Sequence, residues 1–192
     1  MKKIIFRCLV GLMLTGTTLV AQAQSIVDGE AGLLHVSGSL TASPCRLDMV
    51  SQWQSVTLGN ISTGQLQQAG AQGQPVNIEL QLQDCLQAAS YSHDANSGNL
   101  LWSPHQPAVT VRFRAPADKT MPELFAVAGA SGLGLRLRDA HGHNVLPNSD
   151  ATQLLLNDGQ NILSYTLTPE RTGAPLRAGN WHTLISFGLE YD

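Results

Sequence analysis

The sequence predicts an all-β sandwich, on three observations. Short runs alternate apolar and polar residues, clusters of Gly, Pro, Asn, Asp and Ser separate them, and no long stretch beyond the amino-terminal segment shows helical periodicity. Strands at this spacing, joined to a cysteine pair and without helical spacers, favour an immunoglobulin-like sandwich over a barrel. Leu34–Leu40 is expected to open the fold, and Ser55–Leu58 follows before the turn pair Gly59-Asn60. Val76–Leu82 alternates strictly, with Val76, Ile78, Leu80 and Leu82 on one face. Val109–Arg114 repeats the device, as does Leu133–Arg138 after a glycine-rich bend, each placing its apolar side on a core and its polar side in water. Asp139-Ala140-His141-Gly142 reads as a turn, and Asn157-Asp158-Gly159 separates Leu154–Leu156 from Ile162–Leu167. The last predicted strand, Trp181–Tyr191, carries Trp181, Ile185, Phe187, Leu189 and Tyr191 on one parity. Gln65–Gln74 and Ser90–Pro107 read as loops.

The amino terminus sets the compartment. Lys2, Lys3 and Arg7 precede an apolar run, Cys8–Val20, that ends in Ala21-Gln22-Ala23, the pattern of a secretory signal peptide cleaved after Ala23. The run is short for a membrane span, and Cys8 lies too early for a lipid-anchored cleavage site. Residues 24–192 suit one domain with its own core. Removing 1–23 takes away three of 11 basic residues and none of 14 acidic ones, leaving eight against 14, a net charge of −6. With Lys119 the last lysine and no arginine cluster, nucleic acid is excluded as a partner class. Cys45 and Cys85, an even pair in an oxidising compartment, are expected to form a disulfide.

Catalytic patterns are absent: there is no Gly-x-Ser-x-Gly elbow, no His-Glu-x-x-His helix and no phosphate loop. Asp139 and Asp158 read as turn formers. His141 and His143 are the one close pair among 6 histidines, placed in a turn where both rings are expected to be solvated, and no metal or cofactor is expected. Trp53, Trp102 and Trp181 could stack on sugars, but their wide spacing assigns them to the core.

Between the cleavage site and the first strand lies Ser25–Leu33, apolar in places yet glycine-rich. One parity, Val27, Gly29, Ala31 and Leu33, is small or apolar; the other would bury Asp28 and Glu30. The segment therefore reads as an extended arm able to complete another molecule's sheet through the first face.

At this point the residues carry a family resemblance that spans the chain from the arm onward. Gly32-Leu33-Leu34-His35-Val36, then Gly38 and Cys45, resembles the opening of the type 1 fimbrial subunits of the chaperone-usher pathway. Val56–Ile61 with Gly70, Ile78–Cys85 and Gly132–Asp139 resemble the blocks that follow, and Gly179 and Tyr191 match that family's carboxy-terminal signature. The resemblance implies an incomplete sandwich lacking its seventh strand, with domains 1–23 (signal), 24–33 (donor-strand arm) and 34–192 (pilin domain). It implies a structural, non-enzymatic role in fimbriae and adhesion, polymerising by donor-strand exchange. A periplasmic chaperone and the outer-membrane usher would be partners, with neighbouring subunits, and any host receptor would be met only indirectly. The pairing edge would be the terminal strand, involving Gly179, Trp181, Ile185, Phe187, Leu189, Tyr191 and Asp192. The sparse arm face and the long 90–107 segment point to a minor or adaptor subunit. A self-contained secreted carbohydrate-binding sandwich is the alternative.

Overall fold

The computed structural model describes residues 34–38, 43–94 and 97–192. The chain divides into two compact units, Met1–Leu40 and Thr41–Asp192. The signal segment and the arm lie outside the described residues. The strand expected over Leu34–Leu40 is not found in its described part, since residues 34–38 carry no regular structure.

In chain order the second unit comprises β1 (Arg46–Leu47), α1 (Met49–Gln52), β2 (Val76–Cys85), β3 (Ser90–His93), β4 (Leu100–Ser103), β5 (Ala108–Arg114), β6 (Phe125–Ala126), β7 (Leu133–Asp139), β8 (Asn144–Val145), β9 (Leu154–Leu155), β10 (Gly159–Arg171) and β11 (Ser186–Tyr191). Among the described residues every strand pairing is antiparallel. One sheet runs β1-β2-β10-β7-β6 with β8 also on β7, a second runs β11-β5-β9, and β3-β4 form a separate hairpin.

The alternating runs supply the core. Leu80 and Leu82 of β2, Leu163, Tyr165 and Leu167 of β10, and Leu135 and Leu137 of β7 form one buried cluster with Val109, Val111 and Phe113 of β5. Phe113 and Tyr165 meet edge to face, centroids 4.8 Å apart, and so join the two sheets. Each fully buried side chain of this size stabilises the fold by about 1.5–3 kcal/mol.

The period of two breaks once, with consequence. Beyond Leu82 strict alternation would aim residue 84 inward, yet Asp84 takes φ 52 and the register against β10 shifts between Gly159 and Asn161. This bulge swings Cys85 into the core, where it forms the expected disulfide with Cys45 across 40 residues. Closing a loop of that length stabilises the fold by about 4 kcal/mol in the chain-entropy picture.

Pro169 sits inside β10, where a missing N–H would ordinarily cost a ladder bond. Its carbonyl accepts from Gly73 N (2.8 Å), and Arg171 beyond it exchanges bonds with Gly70 and Ala71. A residue's N–H and C=O point to the same neighbour. The missing donor therefore faces the irregular 70–73 segment and leaves the β7 ladder intact.

Several expectations need correction. Ser55–Leu58 is not a strand; the chain leaves β1 into α1, capped by Asp48, whose Oδ1 accepts from Val50 N at 3.0 Å. Ser90–Pro107 is not one loop, because β3 and β4 pair within it, Tyr91 opposite Trp102. Trp53 and Trp102 are not core: they are 81% and 60% exposed. The polar side of β7 is not in water either. Leu124 lies over Gly134, and Arg136 is buried in a bidentate ion pair with Glu170 (2.5 and 2.6 Å), to which Gln72 adds a third bond.

Candidate functional site: the open edge of the terminal strand

Two sheet edges lie on either side of the sandwich, and they are finished differently. Beyond β1 the edge of β2 is covered by side chains: Ser51 Oγ accepts from Gln81 N (2.8 Å) and Gln54 Nε2 donates to Glu79 O (2.8 Å). Sequence reading missed both guards, because nothing in the pattern around 51–54 announces which backbone groups they meet.

β11 has no such cover among the described residues. It pairs with β5 from Ser186↔Arg114 to Tyr191↔Val109, and among the described residues no strand lies on its other side. Asp192 exchanges backbone bonds with Ala108, so the even residues of this strand direct their N–H and C=O groups at β5. Phe113 and Val111 accept from Asn148 and Ala151 on the far side of β5, which fixes the same alternation from the other strand. Phe187, Leu189 and Tyr191 therefore turn their backbone groups to the open edge.

The same residues turn their side chains inward. Ile185, Phe187, Leu189 and Tyr191 pack against the core but stay half-buried, whereas Val109, Val111 and Phe113 beside them are sealed. Phe187 reaches Phe113 with ring centroids 6.2 Å apart. The outer residues Ser186, Gly188 and Glu190 are exposed. The result is a strip in which an unfinished apolar row and an unfinished hydrogen-bond ladder coincide, the combination that an added strand satisfies.

Both ends of the strip are built. At the carboxy end burial pushes the Tyr191 phenol up while its contact with Ser43 pulls the other way. Asp192 Oδ2 accepts from Gln153 Nε2 (2.8 Å), just before β9, and from Ser92 Oγ (3.2 Å) of β3, which fixes this residue between the two. At the other end lies a cavity of ≈ 90 Å³ whose lining includes Ile61, Leu66, Leu133, Leu176, Gly179 and Trp181.

The terminal strand is shorter than predicted. Residues before Ser186 instead bridge to the segment after β6, Ala128↔His182 and Ser131↔Arg177. Gly179 acquires a physical reason there. A Cβ on it would lie 2.4 Å from Gly129 O, and one on Gly129, at φ 98, would lie 2.1 Å from Asn180 O. Two backbones meet where no side chain fits. The structure thus brings together Ile185, Phe187, Leu189, Tyr191 and Asp192 on one edge, sets Trp181 and Gly179 at the cavity before it, and leaves Val27, Gly29, Ala31 and Leu33 outside the described residues. A further depression, ≈ 360 Å³, lies on the outer face over Gly188, but its Arg112 is already paired with Asp150 and Glu190.

Residues 34–192 match the family described as Fimbrial protein. The chain belongs to that family. It is a structural fimbrial subunit and not an enzyme, in keeping with its relatives. The PRS fimbrial minor pilin protein of Escherichia coli is 27% identical over 81% of this chain and 74% of its own. The type-1 fimbrial protein A chain of Escherichia coli is 29% identical over 85% and 84%. Among solved structures, the P pilus rod subunit PapA superposes with a TM-score of 0.62 at 23% identity, over 78% of this chain and all of that one. This last likeness speaks for the immunoglobulin-like pilin fold.

Proposed function

We propose that this fimbrial subunit polymerises by strand complementation: its β11 edge receives the arm of one neighbour, and its own arm, residues 24–33, completes the next. The observation that carries the reading is the coincidence on Phe187, Leu189 and Tyr191 of outward backbone groups with half-buried inward side chains. An antiparallel arm would add N–H···O=C pairs along the edge, and its alternate side chains would cover the apolar row. Val27, Gly29, Ala31 and Leu33 form the inserting face, since the other parity would bury Asp28 and Glu30.

Until a neighbour arrives, an open edge of this kind invites aggregation. A periplasmic chaperone that lends a strand would occupy it, and exchange for the arm would take place at the outer-membrane usher. The sparse arm, with Val27 and Leu33 its sizeable apolar residues, supports a minor or adaptor position.

The test is periplasmic expression of the mature chain with and without a cognate chaperone, and with and without residues 24–33. Recovery that requires the chaperone, with the arm-deleted form still chaperone-bound yet unable to join a neighbour, supports the assignment. A stable monomer recovered without any chaperone means that the sandwich is complete on its own, and a secreted binding module becomes the better reading.

A further inference from the structure

We propose that His141 and His143, on the turn between β7 and β8, form a surface site for a divalent transition-metal ion, with Asp139 as their positioning residue. The spacing His-Gly-His alone does not make such a site, and the sequence reading assigned none. The structure adds the carboxylate. Asp139, 7% exposed, ends β7 beneath the turn, and its backbone closes the hairpin through Asp139 N to His143 O and Gly142 N to Asp139 O, both 3.0 Å. Gly142 takes φ 85, which keeps the two histidines on either side of a tight reversal.

The Asp139 carboxylate is fully engaged. Oδ1 accepts from the backbone N of His141 and of His143, both at 2.9 Å; Oδ2 accepts from Thr152 Oγ1 at 2.9 Å and lies 3.2 Å from His143 Nδ1. Four contacts use the lone pairs of both oxygens, so Asp139 orients rather than ligates. With its Nδ1–H directed at Asp139, His143 presents the Nε2 lone pair to solvent, the carboxylate–histidine arrangement that metal sites use to fix tautomer and raise ligand basicity.

His141 stands beside it, the rings near parallel at 5.9 Å between centroids. One ring nitrogen of each histidine and one Asp139 oxygen lie within 4.8 Å of one another, so the three side chains form one cluster. An ion held about 2.0–2.1 Å from each of two nitrogens needs them roughly 3–4 Å apart. Both rings are exposed, so in the proposed site His141 turns about its own side-chain bonds to bring a nitrogen to that distance from His143 Nε2, and water fills the remaining positions. The neighbouring cation, Arg138, is turned to Asn144 Oδ1 at 3.2 Å. Two imidazoles suit Cu²⁺ first and Zn²⁺ second.

The experiment is titration of the full mature chain, free of any histidine tag and in the complex from which it is recovered, with CuCl₂ and with ZnCl₂ by calorimetry, alongside electron paramagnetic resonance of the Cu²⁺ form. One equivalent per chain is expected, with nitrogen hyperfine coupling from two imidazoles. Both should disappear in the His141→Ala, His143→Ala double variant, whose side chains are exposed and whose removal leaves the core untouched. Asp139→Asn should weaken affinity by about 10–100-fold. Equal uptake by wild type and double variant, or no saturable uptake by wild type, overturns the site. Unchanged affinity in a folded Asp139→Asn overturns the positioning role.

Discussion

At the scale of single residues, two backbone positions decide whether distant parts of this chain fit. Asp84 is one. Its left-handed conformation costs an ordinary L-residue about 1–2 kcal/mol, and Asp tolerates it better than most. Asp84→Val should lower stability by about that amount, because a β-branched side chain is least at home there, while Asp84→Gly should leave it nearly unchanged; thermal unfolding of the complemented subunit compares them directly. A larger loss for the glycine variant would show that the exposed contact with Arg46 (2.5 Å) matters more than the backbone. Gly179 is the other. Gly179→Ala pushes a methyl onto Gly129 O, and about 1–3 kcal/mol of overpacking is expected, read as a drop in unfolding midpoint or in soluble yield. A position that matches the family's carboxy-terminal signature thus has a packing cause.

At the scale of elements, the strands that bury one face were legible and those that depend on a partner were not. Val76–Leu82, Val109–Arg114 and Leu133–Arg138 appear as β2, β5 and β7 because alternation over several residues has no competing helical reading. Ser55–Leu58 alternates too, but Ser51 and Gln54 just before it meet the β2 edge at Gln81 N and Glu79 O by side chain, where a pairing strand would have placed its backbone. The β3–β4 hairpin escaped notice because Ser90–His93 is polar and short, and its exposed Tyr91 and Trp102 face each other across strands instead of filling a core. The inward parity of the last strand was readable from Ile185 to Tyr191; the openness of its edge came only with the family resemblance, since an absent neighbour leaves no mark in a strand's own sequence. The parity makes a sharp prediction. Leu189→Asp should abolish recovery of a chaperone-bound or polymerised subunit, by placing a charge in the row an incoming strand must cover. Glu190→Ala, one residue on and facing solvent, should assemble as wild type. Equal assembly by the two variants would mean that the strip is not where complementation occurs.

At the scale of the whole molecule, the two sheets are held by the apolar core from within and by buried or half-buried carboxylates from without, and the second contribution depends on pH. Burial alone would raise the Glu170 carboxyl, but bonds from Arg136 and Gln72 outweigh it and hold the group below its usual range. Asp139 behaves alike: desolvation is overcome by donors from His143, Thr152 and His141. Asp150 is held low first by its hydrogen bonds to Arg112. For each, the folded value lies below the unfolded one. Their stabilisation is therefore complete above about pH 4–4.5, where the unfolded carboxylates are already ionised, and is lost as pH falls through the folded values. The unfolding midpoint should be flat in this respect near neutrality and fall on acidification below about pH 4. Glu170→Gln separates this effect from general acid lability. It leaves Arg136, itself 8% exposed, with only the looser contact to Glu123 at 3.9 Å, so a loss of about 3 kcal/mol is expected at neutral pH. The remaining acid dependence should be shallower than that of wild type, because one of the three depressed groups no longer titrates. A variant with wild-type steepness would place the acid sensitivity elsewhere, on Asp139 and Asp150 or at the subunit contacts.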